Sequence, residues 1–369
     1  FSHVAAKSGI RASTYNAVFK NIKTTDEEVL TKARYQPEFV AKTWDYLDSR
    51  VTSWTVSTGQ QKRVELKPWL DKIEAKYGVD RDIVLAIWSM ESTYGEYLKR
   101  PGAVHHIGQA LATLAYKDKR RKKFARQQLI AALKIVQNGD INASGMVGSW
   151  AGAMGHTQFI PTSYQAWAVD INNDGKRDVW NFAPDALAST ANLLKKNGWI
   201  KGRTWGYEVV LPKGFNFKLA NKDNYKIADF RKMGVVRANG KPFPRGSDKA
   251  VLKLMGGKTG PAFLMLRNFF VLKRYNNADK YALGVGHLAD RIQGGGPIIQ
   301  KWQRGYKSLR EDERKEVQVQ LSKLGYYKGD IDGNIGSGSR KAIKTWQQKV
   351  GMTPDGFPSR KVLDKLRKS

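Results

Sequence analysis

One segment constrains this chain more than any other: Val79 to Gly95, with Ile83, Val84, Ile87 and Trp88 recurring at helical spacing. Asp80 stands where a helix N-cap is wanted, and Gly95 is placed to stop the helix with a left-handed residue. Glu91 lies four residues beyond Ile87, so it continues the apolar stripe and does not join the polar face. Desolvation there disfavours the charged carboxylate and raises its pKa. A carboxylic acid still protonated near neutral pH is what general-acid catalysis requires. Taken alone, the segment fits a plainer reading better: a Glu at the rim of a core helix, its head in water, because structural carboxylates outnumber catalytic ones.

The second informative stretch runs from Gly145 to Tyr164. Four glycines in eleven residues (Gly145, Gly148, Gly152 and Gly155) permit tight turns and close approach of a ligand to the backbone. Ser149, His156, Thr157 and Gln158 are neutral hydrogen-bonding groups; Trp150 and Phe159 are flat apolar surfaces. That mixture suits sugars, which combine hydroxyls with apolar ring faces, and it fits tight helix packing equally well. Next, Asp170, Asn172 and Asp174 occupy positions one, three and five of a loop with Gly175 at six, the start of a calcium loop of the EF-hand type. The Lys176 carbonyl would supply position seven. Asn181 stands where the closing Glu is usual, and Asp185 is the nearby candidate to replace it. An Asx-Gly turn without metal is the plainer alternative.

Most glycosidases need two carboxylates flanking the scissile bond. Between Gly95 and the Asp170 loop the chain offers only Glu96, Asp118 and Asp140, none inside the glycine-rich stretch. A lone acid suffices if the substrate brings its own nucleophile.

Length and charge set the frame. The 369 residues suggest two or three domains. No apolar run approaches the roughly 20 residues that span a bilayer. The chain begins at Phe1, so a processed or trimmed N-terminus is expected, and a signal peptide or lipid anchor would not be visible. Cysteine is absent, which excludes disulfides and thiolate zinc sites and fits an oxidising compartment. The net charge of +31, from 64 Lys and Arg against 33 Asp and Glu, favours a polyanionic partner. It is spread from end to end, so nucleic acid and an anionic wall polymer fit it equally.

Elsewhere the pattern predicts a mainly α chain. Residues 1–50 read as amphipathic helix with Phe19, Ile22, Val29 and Leu30 in the core, and residues 35–47 as an approach to the main domain. Helices are expected at 66–77, from Ile107 through Leu114, and at 124–136, 186–196, 261–272 and 280–292. Residues 205–260 alternate in short runs with Pro and Gly punctuation, which predicts a small strand-and-loop subdomain. The basic run 117–123 reads as a solvated turn. The Lys/Arg/Glu-rich stretch 304–315 reads as a linker. A compact unit follows, with helices at 317–324 and 340–350 and a last one packing Val362, Leu363 and Leu366. Its Asp332-Gly333 and Asp355-Gly356 turns make an approximate internal repeat.

These stretches together resemble a known family. The segment from Ala86 to Gly95, the Leu111–Tyr116 run, Gly148 to Gly155 with Gln158 to Pro161, and the Asp170 loop occur in the order seen in lytic transglycosylases of the membrane-bound B type. Leu324 to Tyr327, Asp332-Gly333, Ala342 to Gln347 and Pro354 to Gly356 resemble a three-helix peptidoglycan-binding domain. The resemblance implies a lysozyme-like catalytic region at 1–303, with a small β-containing insertion at 205–260, a linker at 304–315, and a wall-binding domain at 316–369. It implies cleavage of the MurNAc–GlcNAc β-1,4 bond without water, leaving a 1,6-anhydromuramoyl end. Glu91 corresponds to the acid/base. Ser149, Gln158 and Asn276 would line the sugar site, with Tyr275 and Tyr281 nearby, and Arg120 and Arg121 would meet peptide or lactyl carboxylates. Leu193 departs from the pattern, since some members carry a Tyr there. Expected with this reading are glycan strands as partner and no nucleic acid, no catalytic cofactor but a structural calcium ion at Asp170, Asn172, Asp174, Lys176 and Asp185, and a monomer. The expected location is the periplasm or cell envelope, with peripheral membrane association through an N-terminal segment outside this chain. A muramidase of the same fold and a non-catalytic wall-binding protein are the alternatives.

Overall fold

The computed structural model describes residues 1–34, 42–304, 309–352, 354 and 356–369. Residues 35–41 of the approach segment, part of the linker and Asp355 lie outside the described residues. The chain divides into two compact units, Phe1–Val40 with Gly59–Arg203 and Val271–Asn277, and Ala41–Thr58 with Thr204–Phe270 and Ala278–Ser369.

The first unit is helical, and its central helix is Arg81–Ser92. Asp80 caps it, accepting the Asp82 amide at 2.8 Å. Every residue from Asp82 to Met90 is buried, so the helix is a core element on all faces. It ends at Ser92 and not at Gly95. Thr93, Tyr94 and Gly95 all take positive φ (56°, 57° and 90°), a reversal that a single glycine stop does not describe. Tyr94 is held there by burial, at 4% exposure. Around this helix stand Lys67–Tyr77, Ile107–Lys117, Lys122–Gln137, Pro161–Trp167 and Ala183–Lys196. The last begins three residues earlier than periodicity suggests, because Pro184 occupies its first turn. Near the N-terminus Val29 and Leu30 are buried as expected, whereas Phe19 and Ile22 are half-buried and Val18 takes the core position. Two short strands that no periodicity reveals, β1 (His105–His106) and β2 (Val147–Gly148), pair antiparallel and start the glycine-rich stretch from a fixed register.

The second unit contains a five-stranded antiparallel sheet. Its strands are β3 (Gly206–Val210), β4 (Tyr225–Lys226), β5 (Val236–Arg237), β6 (Lys249–Leu254) and β7 (Ala262–Met265), in the order β4-β6-β7-β3-β5. The expected helix at 261–272 is therefore wrong in its first half: Ala262–Met265 is a central strand, and the helix runs Arg267–Tyr275. A short apolar run buried on both faces carries no periodicity to separate strand from helix. Gly286, on the helix Asp279–Ile292, has no room for a methyl group, which would come within 2.5 Å of the Trp205 ring.

The C-terminal helices Glu311–Lys323, Ser337–Lys349 and Arg360–Leu366 close their own core around Val317, Leu321, Ile343, Trp346 and Leu363. The internal repeat has a physical basis. Buried Gln318 accepts the Gly333 amide at 2.7 Å, and buried Gln347 accepts the Gly356 amide at 2.8 Å. The linker expectation is corrected at 311–315, which form the first turns of a helix. Glu311 accepts the Ser53 amide at 3.1 Å, and Arg304 donates to Asp48 at 2.5 Å, so charged side chains here make specific ties.

Candidate active site

Glu91 is the penultimate residue of its helix and half-buried. The turn Gly155–Gln158 is tied to that helix from one side and to Tyr275 from the other. Ser92 donates its hydroxyl to the His156 carbonyl at 2.5 Å, and the Trp88 indole N–H donates to His156 Nδ1 at 3.1 Å. The Tyr275 hydroxyl donates to the Thr157 carbonyl and faces Thr190 Oγ1 at 3.4 Å. The charge on Glu91 is close enough to Tyr275 to add to the effect of burial, and together they push the phenol above its ordinary range. The carboxyl group, the glycine-rich turn and Tyr275 therefore share one locality.

Gly148 and Gly155 make the turn possible. A methyl on Gly148 would come within 2.1 Å of the Ala153 carbonyl, and one on Gly155 within 2.2 Å of the Val179 carbonyl. Ser149 is half-buried, its Oγ accepting the Ala153 amide at 3.0 Å. Gln158 is held at φ 52° and donates to the Gly155 carbonyl at 3.0 Å, a strained backbone of the kind that collects at functional sites. Thr157 and Phe159 are corrected: both are core residues, at 0% and 2% exposure, and offer a ligand neither hydroxyl nor open ring. Trp150 is half-buried, with the Arg121 guanidinium 5.5 Å from its ring centroid. Arg121 also pairs with Asp118 at 2.8 Å, and exposed Arg120 donates to the Ala33 carbonyl at 3.3 Å. Asn276 is exposed just past its helix, Tyr281 is buried on the helix Asp279–Ile292, and Leu193 is buried in the helix Ala183–Lys196. The sequence presents His156 only as one polar group among four. Its role as a tie depends on residues 64 and 68 positions away, which no local pattern reveals.

The three other carboxylates of this stretch are all engaged. Glu96 pairs with Lys99 at 2.7 Å and Asp118 with Arg121, while buried Asp140 takes Arg177 through both oxygens.

The Asp170 loop is preformed. Asp170 accepts the Asn173 and Gly175 amides at 2.6 and 2.8 Å, and Asp174 accepts the Lys176 amide at 2.8 Å. Fully buried Asp185 accepts the Ile171 and Asp178 amides at 2.9 and 2.8 Å. Burial and the charges of Asp170 and Asp174 push it up to about 6, against the pull of its two amides. Among the described residues no three Asp, Glu or His side chains converge as a ready metal cluster. Asn172 Oδ1, however, is buried without a hydrogen-bond partner. An orphaned carbonyl oxygen between two carboxylates fits a hard, oxygen-seeking cation.

Fold and site together define a lysozyme-like helical domain in which the half-buried Glu91 shares a locality with a glycine-rich turn. The family profile for the transglycosylase SLT domain matches residues 1–290, and that for the peptidoglycan binding domain matches residues 310–366. The chain belongs to this family, the lytic transglycosylases, lyases that act on peptidoglycan. Membrane-bound lytic murein transglycosylase B of Escherichia coli is 29% identical over 264 residues, 70% of this chain and 66% of that protein, just under two thirds of its length. SltB3 from Pseudomonas aeruginosa, solved in complex with NAG-anhNAM-pentapeptide, is 44% identical, with a TM-score of 0.79 over 99% of this chain and 97% of that one. SltB1 from Pseudomonas aeruginosa, at 24% identity and a TM-score of 0.69, shares the fold over 79% of this chain and 95% of its own.

Proposed function

We propose that Glu91 is the single acid/base of a reaction that cleaves the MurNAc–GlcNAc bond of peptidoglycan and leaves a 1,6-anhydro end. The observation that carries this reading is the engagement of Glu96, Asp118 and Asp140 with cations, which leaves no spare second carboxylate among them for a two-acid hydrolysis. Protonated Glu91 gives its proton to the leaving GlcNAc oxygen as the C1–O bond breaks. The carboxylate then takes the proton of the muramoyl C6 hydroxyl as that oxygen bonds to C1. The nucleophile is already part of the substrate, an advantage of up to several kcal/mol over bimolecular attack by water. The sugar held by SltB3 in its complex is an anhydro-muramoyl one, which accords with this product class.

Ser149, Gln158 and Asn276 are the proposed sugar contacts, with Arg120 and Arg121 toward peptide or lactyl carboxylates. Asp170, Asn172, Asp174, the Lys176 carbonyl and Asp185 would hold a calcium ion that supplies rigidity to the segment after the sugar motif and takes no part in bond cleavage. The C-terminal helices would anchor the enzyme to the wall, a reading that the match of residues 310–366 to a peptidoglycan binding domain supports, and its work would lie in the cell envelope. Among the described residues no helix is long and apolar enough to cross a membrane. Mass analysis of products from purified sacculi tests the reaction: anhydro ends are expected, and reducing ends would assign a muramidase instead.

A further inference from the structure

Glu91 sits between two ties to one residue outside its own helix. Trp88, three positions before it, donates its indole N–H to His156 Nδ1 at 3.1 Å. Ser92, the next residue, donates to the His156 carbonyl and accepts the Gly95 amide at 3.0 Å. The imidazole lies on the Gly95 backbone, where a methyl would come within 2.7 Å of two ring atoms, and meets the Trp88 ring edge-on at 5.4 Å. His156 is anchored in turn by its own amide, which donates to the Val179 carbonyl at 2.9 Å.

We propose that His156 is a positioning residue for the cleavage reaction, setting the Glu91 carboxylate against the glycine-rich turn by fixing the helix on both sides of the acid. The proposal rests on the reading of Glu91 as acid/base. A helix end frays unless something outside it satisfies its last groups. Here Thr93 and Tyr94 close the last turn by donating their amides to the Ser89 and Trp88 carbonyls at 2.9 and 3.4 Å, but both do so at positive φ, which their residue types disfavour. The acid must nevertheless sit within hydrogen-bond reach of the glycosidic oxygen, and a displacement of about 1 Å costs on the order of 100-fold in rate.

The tie also defines the state of the imidazole. An indole N–H can only donate, so Nδ1 presents its lone pair and the proton resides on Nε2. Burial holds the ring neutral, pushing it down to about 4; Asp178 opposes that shift and Lys99 assists it. Protonation would set N–H against N–H and break the tie to Trp88.

Substitution in the full chain tests the proposal. Asn places a side-chain acceptor near the Nδ1 position, whereas Leu fills the space without one. His156→Leu is expected to lower kcat by about 10- to 100-fold with KM within about twofold. His156→Asn should restore kcat to within about threefold of the unsubstituted enzyme. Trp88→Phe should match His156→Leu, and the double variant should lose no more than either single one. In the unsubstituted protein the Trp88 indole N–H resonance should move with an acid midpoint near 4, and it should not titrate in His156→Asn. Unchanged kcat in His156→Leu overturns the proposal, as does a loss that Asn fails to restore while Trp88→Phe is fully active. Failure of the underlying reading appears separately: full activity of Glu91→Gln, or reducing ends from the unsubstituted enzyme, would show in product analysis whatever the His156 variants do.

Discussion

The hydroxyl of Tyr275 donates to the carbonyl of Thr157 at 2.5 Å, joining the end of the helix Arg267–Tyr275 to the glycine-rich turn. The Phe159 ring meets Tyr275 edge-on at 5.9 Å. A residue that the motif resemblance puts beside the sugar thus has its polar atom committed to the wall of the site. Tyr275→Phe leaves the Thr157 carbonyl without this donor, and a loss of about 1–2 kcal/mol is expected. Urea denaturation checks it; an unchanged midpoint would show that the bond bears no weight.

Glu91→Gln keeps the shape and removes the transferable proton. Turnover on sacculi should fall by about 10²–10⁴-fold or more, with far-UV circular dichroism and co-sedimentation with the wall unaltered. Activity close to that of the unsubstituted enzyme would remove Glu91 from the chemistry.

Calcium should raise the melting temperature, because an ion held only by the folded loop stabilises it, by about 2.7 kcal/mol at 100 times the dissociation constant. Asp174→Ala should abolish the response without touching the amide bonds that Asp170 accepts. A melting curve identical in chelator and in millimolar calcium refutes the ion site.

Asp82 gives a pH dependence with a definite sign. Its side chain is 3% exposed, and burial, reinforced by Asp80, pushes its pKa up to about 6 against the pull of Arg63 at 3.1 Å. The folded-state value exceeds the unfolded one, so its contribution is fully present below about pH 4 and is lost as pH rises through about 6. Asp82→Asn should therefore stabilise the protein at pH 8, by at most about 3 kcal/mol, with the gain gone by pH 4. Equal shifts at both pH values would show that the buried charge is not the cause.

A chain ending at Arg304 loses the three C-terminal helices and the Glu311 contact to Ser53. It should cleave soluble glycan fragments within about threefold of the full rate and act more slowly on sacculi, because tethering raises local concentration without adding contacts to the bond. The comparison belongs at about 0.15 M salt, where general attraction by the positive surface is screened within roughly 8 Å. Equal losses on both substrates would make the C-terminal helices part of the cleft.

The helical plan was legible wherever burial follows a period. Gly78 ends the helix Lys67–Tyr77 and Asp80 caps the start of the helix that carries Glu91, as the residue pattern suggests. The pattern failed where long-range contacts decide. Ala262–Met265 is a strand because β6 and β3 flank it, and its own residues would serve a helix equally well. Phe159 and Thr157 read as ligand groups because a loop full of glycine looks open, yet both are turned into the core. The charged stretch at 311–315 reads as linker because its acids, which favour a helix N-terminus, also suit a solvated chain.

The run of left-handed residues after Ser92 has a consequence for the order in which the protein assembles. Thr93 and Tyr94 each carry a backbone strain of about 1 kcal/mol or more. The turn is held by the burial of Tyr94 and by the His156 carbonyl, 64 residues further on, which accepts from the Ser92 hydroxyl. The helix that carries Glu91 therefore takes its final form at this end only once the turn Gly155–Gln158 is docked against it.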